Sequence, residues 1–99
     1  MRQKLAFAGV ISVGVALTSK GELAGDPDVV IAGIPARMND GRMTDAIVDK
    51  VLFAALDSMS RGRRRDPDEV STALERAVRN EVRAAWGKRP LVHVLVMPV

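Results

Sequence analysis

The C-terminal run Lys88-Arg89-Pro90-Leu91-Val92-His93-Val94-Leu95-Val96-Met97-Pro98-Val99 constrains the fold more than any other part of the chain. Read as a strand, it places Leu91, His93, Leu95 and Met97 on one side and Val92, Val94 and Val96 on the other, because successive side chains point to opposite faces. Neither set suits water. A strand covered on both faces carries such a run, whereas one with a wet face alternates apolar with polar residues. With 99 residues, 47% hydrophobic and 27% charged, the chain has the balance of one small globular domain with a single core. The expectation is one domain over 1–99 that is a piece of something larger, with the second cover for this strand supplied from outside.

At the other end, Met1-Arg2-Gln3-Lys4 followed by the apolar run Leu5 to Leu17 has the basic and hydrophobic regions of a secretory signal. The apolar run has its own pattern, however. Ile11, Val13, Val15 and Leu17 alternate with Ser12, Gly14, Ala16 and Thr18, a period of two that a strand explains and a signal helix does not need. As a helix the run would cover roughly 20 Å of a hydrocarbon core about 30 Å thick, so no membrane span is expected. The chain has no cysteine, which removes a disulfide framework, a thiolate nucleophile and a Cys-based zinc site. Cytoplasm is the default location.

Between these strands the punctuation is readable. Ser19-Lys20-Gly21-Glu22 is a turn, with Gly21 able to take the positive φ that such turns demand. The returning segment, Leu23 to Ile34, is interrupted by Asp26-Pro27-Asp28, so Val29 to Ile31 is the better half of a kinked edge strand. Pro35 to Arg42, containing Asn39-Asp40-Gly41, is a loop. A first helix, capped by Thr44 or Asp40, continues to about Ser58 with Ile47, Val48, Val51, Leu52, Ala55 and Met59 on its apolar face. A second has Asp66 as N-cap, Pro67 at the first helical position, Glu69 in capping-box position and Gly87 just past its end. The fold class is therefore α+β: a small three-stranded sheet with two α-helices packed on one face, in the order strand, strand, helix, helix, strand.

That arrangement leaves one sheet face free. Three strands about 4.8 Å apart and about 20 Å long present on the order of 300 Å². Burying it against a copy would contribute roughly 7 kcal/mol per partner at about 25 cal/mol per Å², against an association cost of about 4 to 15 kcal/mol. The balance allows either a weak or a firm dimer. Ser12, Gly14 and Ala16 on the outward side of the first strand are small enough to let another sheet approach, and His93, Leu95 and Met97 of the last strand share that side. These six are the candidate interface. The alternative is that small residues merely limit exposed apolar area.

The segments Gly9-Val10-Ile11-Ser12-Val13 through Leu17, Lys20-Gly21-Glu22-Leu23, Asp26-Pro27-Asp28-Val29-Val30 with Gly33, and the terminal Lys88-Arg89-Pro90 leading into an apolar strand carry a resemblance. Together, with two amphipathic helices between them, they resemble the C-terminal domain of ribonuclease J over nearly the whole chain. Trp86-Gly87-Lys88-Arg89-Pro90 is similar to the alphaproteobacterial form. The resemblance implies an RNA-processing and RNA-degrading hydrolase of the metallo-β-lactamase and β-CASP type, in which zinc-activated water cleaves phosphodiester bonds as a 5' exonuclease or endonuclease. It implies that this chain is the accessory part, supporting oligomerisation and full activity, excised from a catalytic region that holds the zinc. The expected partners are a second copy, the catalytic region of the same enzyme, and RNA, with no membrane.

The residues independently argue against chemistry within this chain. A hydrolytic metal site needs several His and carboxylate ligands converging on one cleft, and the chain has one histidine, His93. Asp45 and Asp49 lie one helical turn apart but read as solvated surface. Gly9 and Gly14 lack the lysine and hydroxyl residue of a phosphate loop. No catalytic residue, metal ligand or cofactor is assigned, and an independent small enzyme is the least supported class.

A binding role has one candidate. There are 15 Lys and Arg against 12 Asp and Glu, net charge +3, and Arg61-Gly62-Arg63-Arg64-Arg65 concentrates four arginines in the loop between the helices. Arg61, Arg63, Arg64 and Arg65 could neutralise RNA phosphates and tether RNA, or serve as a solvated connector complementing the dipole of the preceding helix. Arg76, Arg79 and Arg83 share a helix face, with Glu75 expected to pair with Arg79. With only Phe7, Phe53 and Trp86 aromatic, base stacking has little support.

Overall fold

The period-two segment becomes the middle of the sheet. The computed structural model describes residues 7–99, so the basic segment Met1 to Lys4 lies outside the described residues. Strand β1 (Phe7–Leu17) is followed by β2 (Asp28–Ala32), helices α1 (Thr44–Ser58), α2 (Arg61–Arg64) and α3 (Pro67–Trp86), and strand β3 (Arg89–Pro98). The strand order is β2-β1-β3, with β2 antiparallel and β3 parallel to β1. Parallel pairing needs a long crossover, which the helical region between β2 and β3 supplies. Pro27 stands immediately before β2 at the sheet edge, where a missing amide breaks no ladder.

Ile11, Val13, Val15 and Leu17 of β1 and Val92 and Val94 of β3 form the buried sheet surface. They meet Val48, Leu52 and Leu56 from α1 and Val70, Leu74, Val78 and Val82 from α3 in one continuous core. Both long helices therefore cover the same face, as the α+β pattern requires. Among the described residues no helix is long and apolar enough to cross a membrane.

Three local expectations change. The arginine-rich connector is a one-turn helix, α2, rather than a loop; Ser60 caps it by accepting from the Arg63 amide at 3.3 Å. Helix α1 begins without a side-chain cap. The Thr44 hydroxyl, buried, donates to the Pro35 carbonyl at 2.6 Å, and Asp40 accepts from the Arg42 amide at 3.0 Å, so both expected caps serve the preceding loop. In α3, Asp66 caps by accepting from the Asp68 amide at 3.0 Å, while Glu69 accepts from Arg63 Nε at 3.0 Å instead of closing a capping box. Gly87 ends α3 in the left-handed region at φ 84°.

Candidate functional site

The open face is built by register. Ser12 pairs with His93, Gly14 with Leu95 and Ala16 with Met97 across the parallel β1–β3 ladder. Residues directly opposite point to the same side, so the six candidate interface residues form three adjacent pairs on the face away from the helices. Their apolar members are uncovered: Leu95 is 64% and Met97 44% exposed. Val30 of β2, opposite Ser12 and 65% exposed, extends the same surface beyond those six. Alternation carries the signal for it, since Val29 and Ile31 pack on the core and Val30 between them turns outward.

Gly14 lies at the centre of this face, and the fold itself does not require it. Its φ is not positive, and an added Cβ would meet only Asp28 Cβ, at an ordinary 3.9 Å. Glycine weakens a strand interior and often marks a place where another backbone comes close.

The free edge of β3 is partly closed from within. Val94 offers its N–H and C=O away from β1; Glu75 Oε2 accepts from the amide at 3.1 Å and the Ser71 hydroxyl donates to the carbonyl at 3.0 Å. Glu75, expected to pair with Arg79 along the helix, turns to the sheet edge instead. Helical spacing alone cannot reveal a long-range contact of this kind.

The basic residues separate. Arg61, Arg64 and Arg65 line a cleft of about 360 Å³ together with Lys20 and Glu22 from the turn after β1. Arg63 faces a different groove, between α1 and α3, where it is paired with Glu69. The turn is held by Thr18, whose amide donates to the Glu22 carbonyl at 2.8 Å and whose hydroxyl accepts from the Lys20 and Glu22 amides at 3.3 and 3.2 Å. Sequence pattern marks Lys20 as a turn residue only; its meeting with α2 is a tertiary event.

Asp45 and Asp49 are exposed on α1, and His93 is exposed on the open face. Among the described residues no three His, Asp or Glu side chains come together as metal ligands would. Among the described residues the donor set of a hydrolytic zinc site is not assembled.

The family model described as the ribonuclease J C-terminal domain matches residues 1–99. Ribonuclease J of Sinorhizobium meliloti (strain Sm2011 / Rm2011 / 2011) is 42% identical over 99 residues, covering 99% of this chain. The chain spans 17% of that relative's length. With a whole-chain family match and a small mixed sheet carrying helices on one face, this chain belongs to the ribonuclease J C-terminal domain family, of the alphaproteobacterial type.

Proposed function

We propose that this domain is a non-catalytic accessory of a zinc-dependent cytoplasmic ribonuclease, and that it brings copies of the enzyme together through its open sheet face. Family membership makes it an accessory domain of an RNA-processing enzyme. The zinc and the phosphodiester chemistry are assigned to a catalytic region outside these 99 residues. Self-association rests on one observation above the others: Gly14, in the central strand, lies between Asp28 and the exposed Leu95, with exposed Met97 one pair further on, and is not required by the fold of its own chain.

The ten paired positions of β1 and β3, at about 3.3 Å per residue and about 4.8 Å per strand, give roughly 320 Å². The five residues of β2 add roughly 80 Å². About 400 Å² per partner, or about 800 Å² in total, falls below the 1,200–2,000 Å² of stable complexes. An interface of about that size belongs with weak, transient pairs, so face-to-face pairing alone is expected to dissociate on dilution. Edge pairing through β3 is disfavoured because Glu75 and Ser71 already occupy the Val94 backbone groups.

Sedimentation equilibrium over a wide concentration range at two salt concentrations tests this. A concentration-dependent dimer that persists in high salt, and is lost in Leu95→Asp with unchanged circular dichroism, is the expected outcome. A monomer throughout, or a dimer that Leu95→Asp leaves intact, sinks the sheet-face reading.

A further inference from the structure

We propose that the cleft formed by Lys20, Arg61, Arg64 and Arg65 binds the phosphate backbone of RNA. The site joins two elements far apart in sequence. Gly21 is buried at φ 80°, and an added Cβ would stand 2.7 Å from Arg64 Cβ and 2.9 Å from the Arg64 carbonyl oxygen. The turn therefore sits directly on α2, which brings Lys20 beside the three arginines. Hydrogen bonds from Thr18 fix the turn and Ser60 fixes α2, so the cations are carried on two ordered supports.

These cations are not used internally. Among the described residues the ion pairs engage Arg42 and Arg63; Lys20, Arg61, Arg64 and Arg65 make none. Glu22 is, among the described residues, the single carboxylate in the cleft, against four cations. Arg64 Nε is buried and finds no hydrogen-bond acceptor among the described residues. Among the described residues no aromatic side chain lines the cleft, so the contact is to the backbone and indifferent to base sequence.

The identification of the polyanion as RNA rests on the reading of this domain as part of a ribonuclease. The cleft does not, and neither depends on self-association. Fluorescence anisotropy of a labelled oligouridylate 12-mer, titrated with the 99-residue chain between 50 and 200 mM salt, provides the test. Four phosphate contacts on a single strand give a log–log slope of about −3, a loss of roughly 50-fold over that range. Arg61→Ser and Lys20→Ser should each reduce the slope by about 0.7, and Lys20→Ser/Arg61→Ser/Arg65→Ser by about 2. Arg64 is kept, because its stem supports the turn. Arg63→Ser removes the same charge from the neighbouring position but outside the cleft, and should leave the slope unchanged.

An equal effect of Arg63→Ser and Arg61→Ser would reduce the interaction to diffuse attraction and overturn the site. Absence of oligouridylate binding overturns it as well, leaving the family membership untouched. Displacement of the oligouridylate by poly-glutamate at equal charge concentration would keep the cleft but assign it to an acidic protein segment, which refutes the RNA assignment.

Discussion

Replacing Gly14 with valine separates what the fold needs from what the assembly needs. In the monomer the substitution should stabilise. The position lies in the middle of the central strand, between Asp28 and Leu95, with room for a Cβ and no positive φ to strain. Removing a strand glycine recovers about 0.5–1 kcal/mol, and the strand preference of valine contributes up to about 1 kcal/mol more. At about 4–8 °C per kcal/mol for a domain of this size, the Tm of the monomer should rise by about 2–16 °C. In the proposed dimer the same side chain would meet the opposing sheet. Overpacking of about 1–3 kcal/mol corresponds to a dissociation constant raised by about 5- to 150-fold. Thermal melts followed by circular dichroism at low micromolar concentration, paired with sedimentation equilibrium at high concentration, read the two effects separately. An unchanged dimer constant removes Gly14 from the interface, and a lowered Tm refutes the claim that the fold leaves this glycine unused.

Other positions give sharper local tests. Gly21→Ala forces a left-handed conformation, at about 1–2 kcal/mol, and a clash with Arg64, at about 1–3 kcal/mol; urea denaturation should show a total loss of about 2–5 kcal/mol, and an unchanged midpoint would mean that the turn does not sit on α2. Glu75→Ala leaves the Val94 amide without its acceptor, at about 1–3 kcal/mol, and should speed hydrogen exchange at Val94; protection equal to the parent chain would contradict the edge contact. Asp40 is held below its ordinary value of 3.8 by the backbone amide and then the guanidinium of Arg42, so its contribution is present at neutral pH and lost as pH falls through that range. The stability gap between the parent chain and Asp40→Asn should therefore close in acid, and a gap constant from about pH 7 to about pH 2 would refute the assignment.

What the sequence reveals divides along the range of the interactions. The alternation of Ile11 to Leu17 and the Asp66-Pro67 and Gly87 signals are local, and each appears in the structure at the residue that carries it. The outward face of β3 is legible because a strand has only two faces. Contacts between distant elements are not. The partner of Glu75 is 19 residues away on β3, and Lys20 meets Arg64 through a turn whose packing depends on Gly21 lacking a side chain. Helix α2, at four residues, is too short for periodicity to register, and Gly62 within it argues against helix on propensity. Arg63 leaves its neighbours because, on one turn of helix, adjacent residues point in different directions. The run of four arginines in sequence is thus three on one side and one on the other.

The two proposed surfaces share one end of β1, and that gives a joint prediction. Ala16 pairs with Met97 on the open face, Leu17 accepts from the Val99 amide at 2.8 Å, and Thr18 begins the turn that carries Lys20. Each copy in a face-to-face pair brings its own basic cleft to the assembly. A short oligonucleotide can occupy one cleft only, whereas a long one can bind the second as an intramolecular event at an effective concentration in the millimolar range. For single-cleft binding in the micromolar range, linkage of this kind strengthens binding by up to about 10³-fold. Leu95→Asp, which touches no cleft residue, should therefore weaken binding of a long oligouridylate while leaving a 12-mer unaffected. Equal losses on both lengths would trace the effect to damage in the cleft. No loss on either would mean that pairing and RNA contact act separately, and that assembly serves the catalytic region without helping this domain hold RNA.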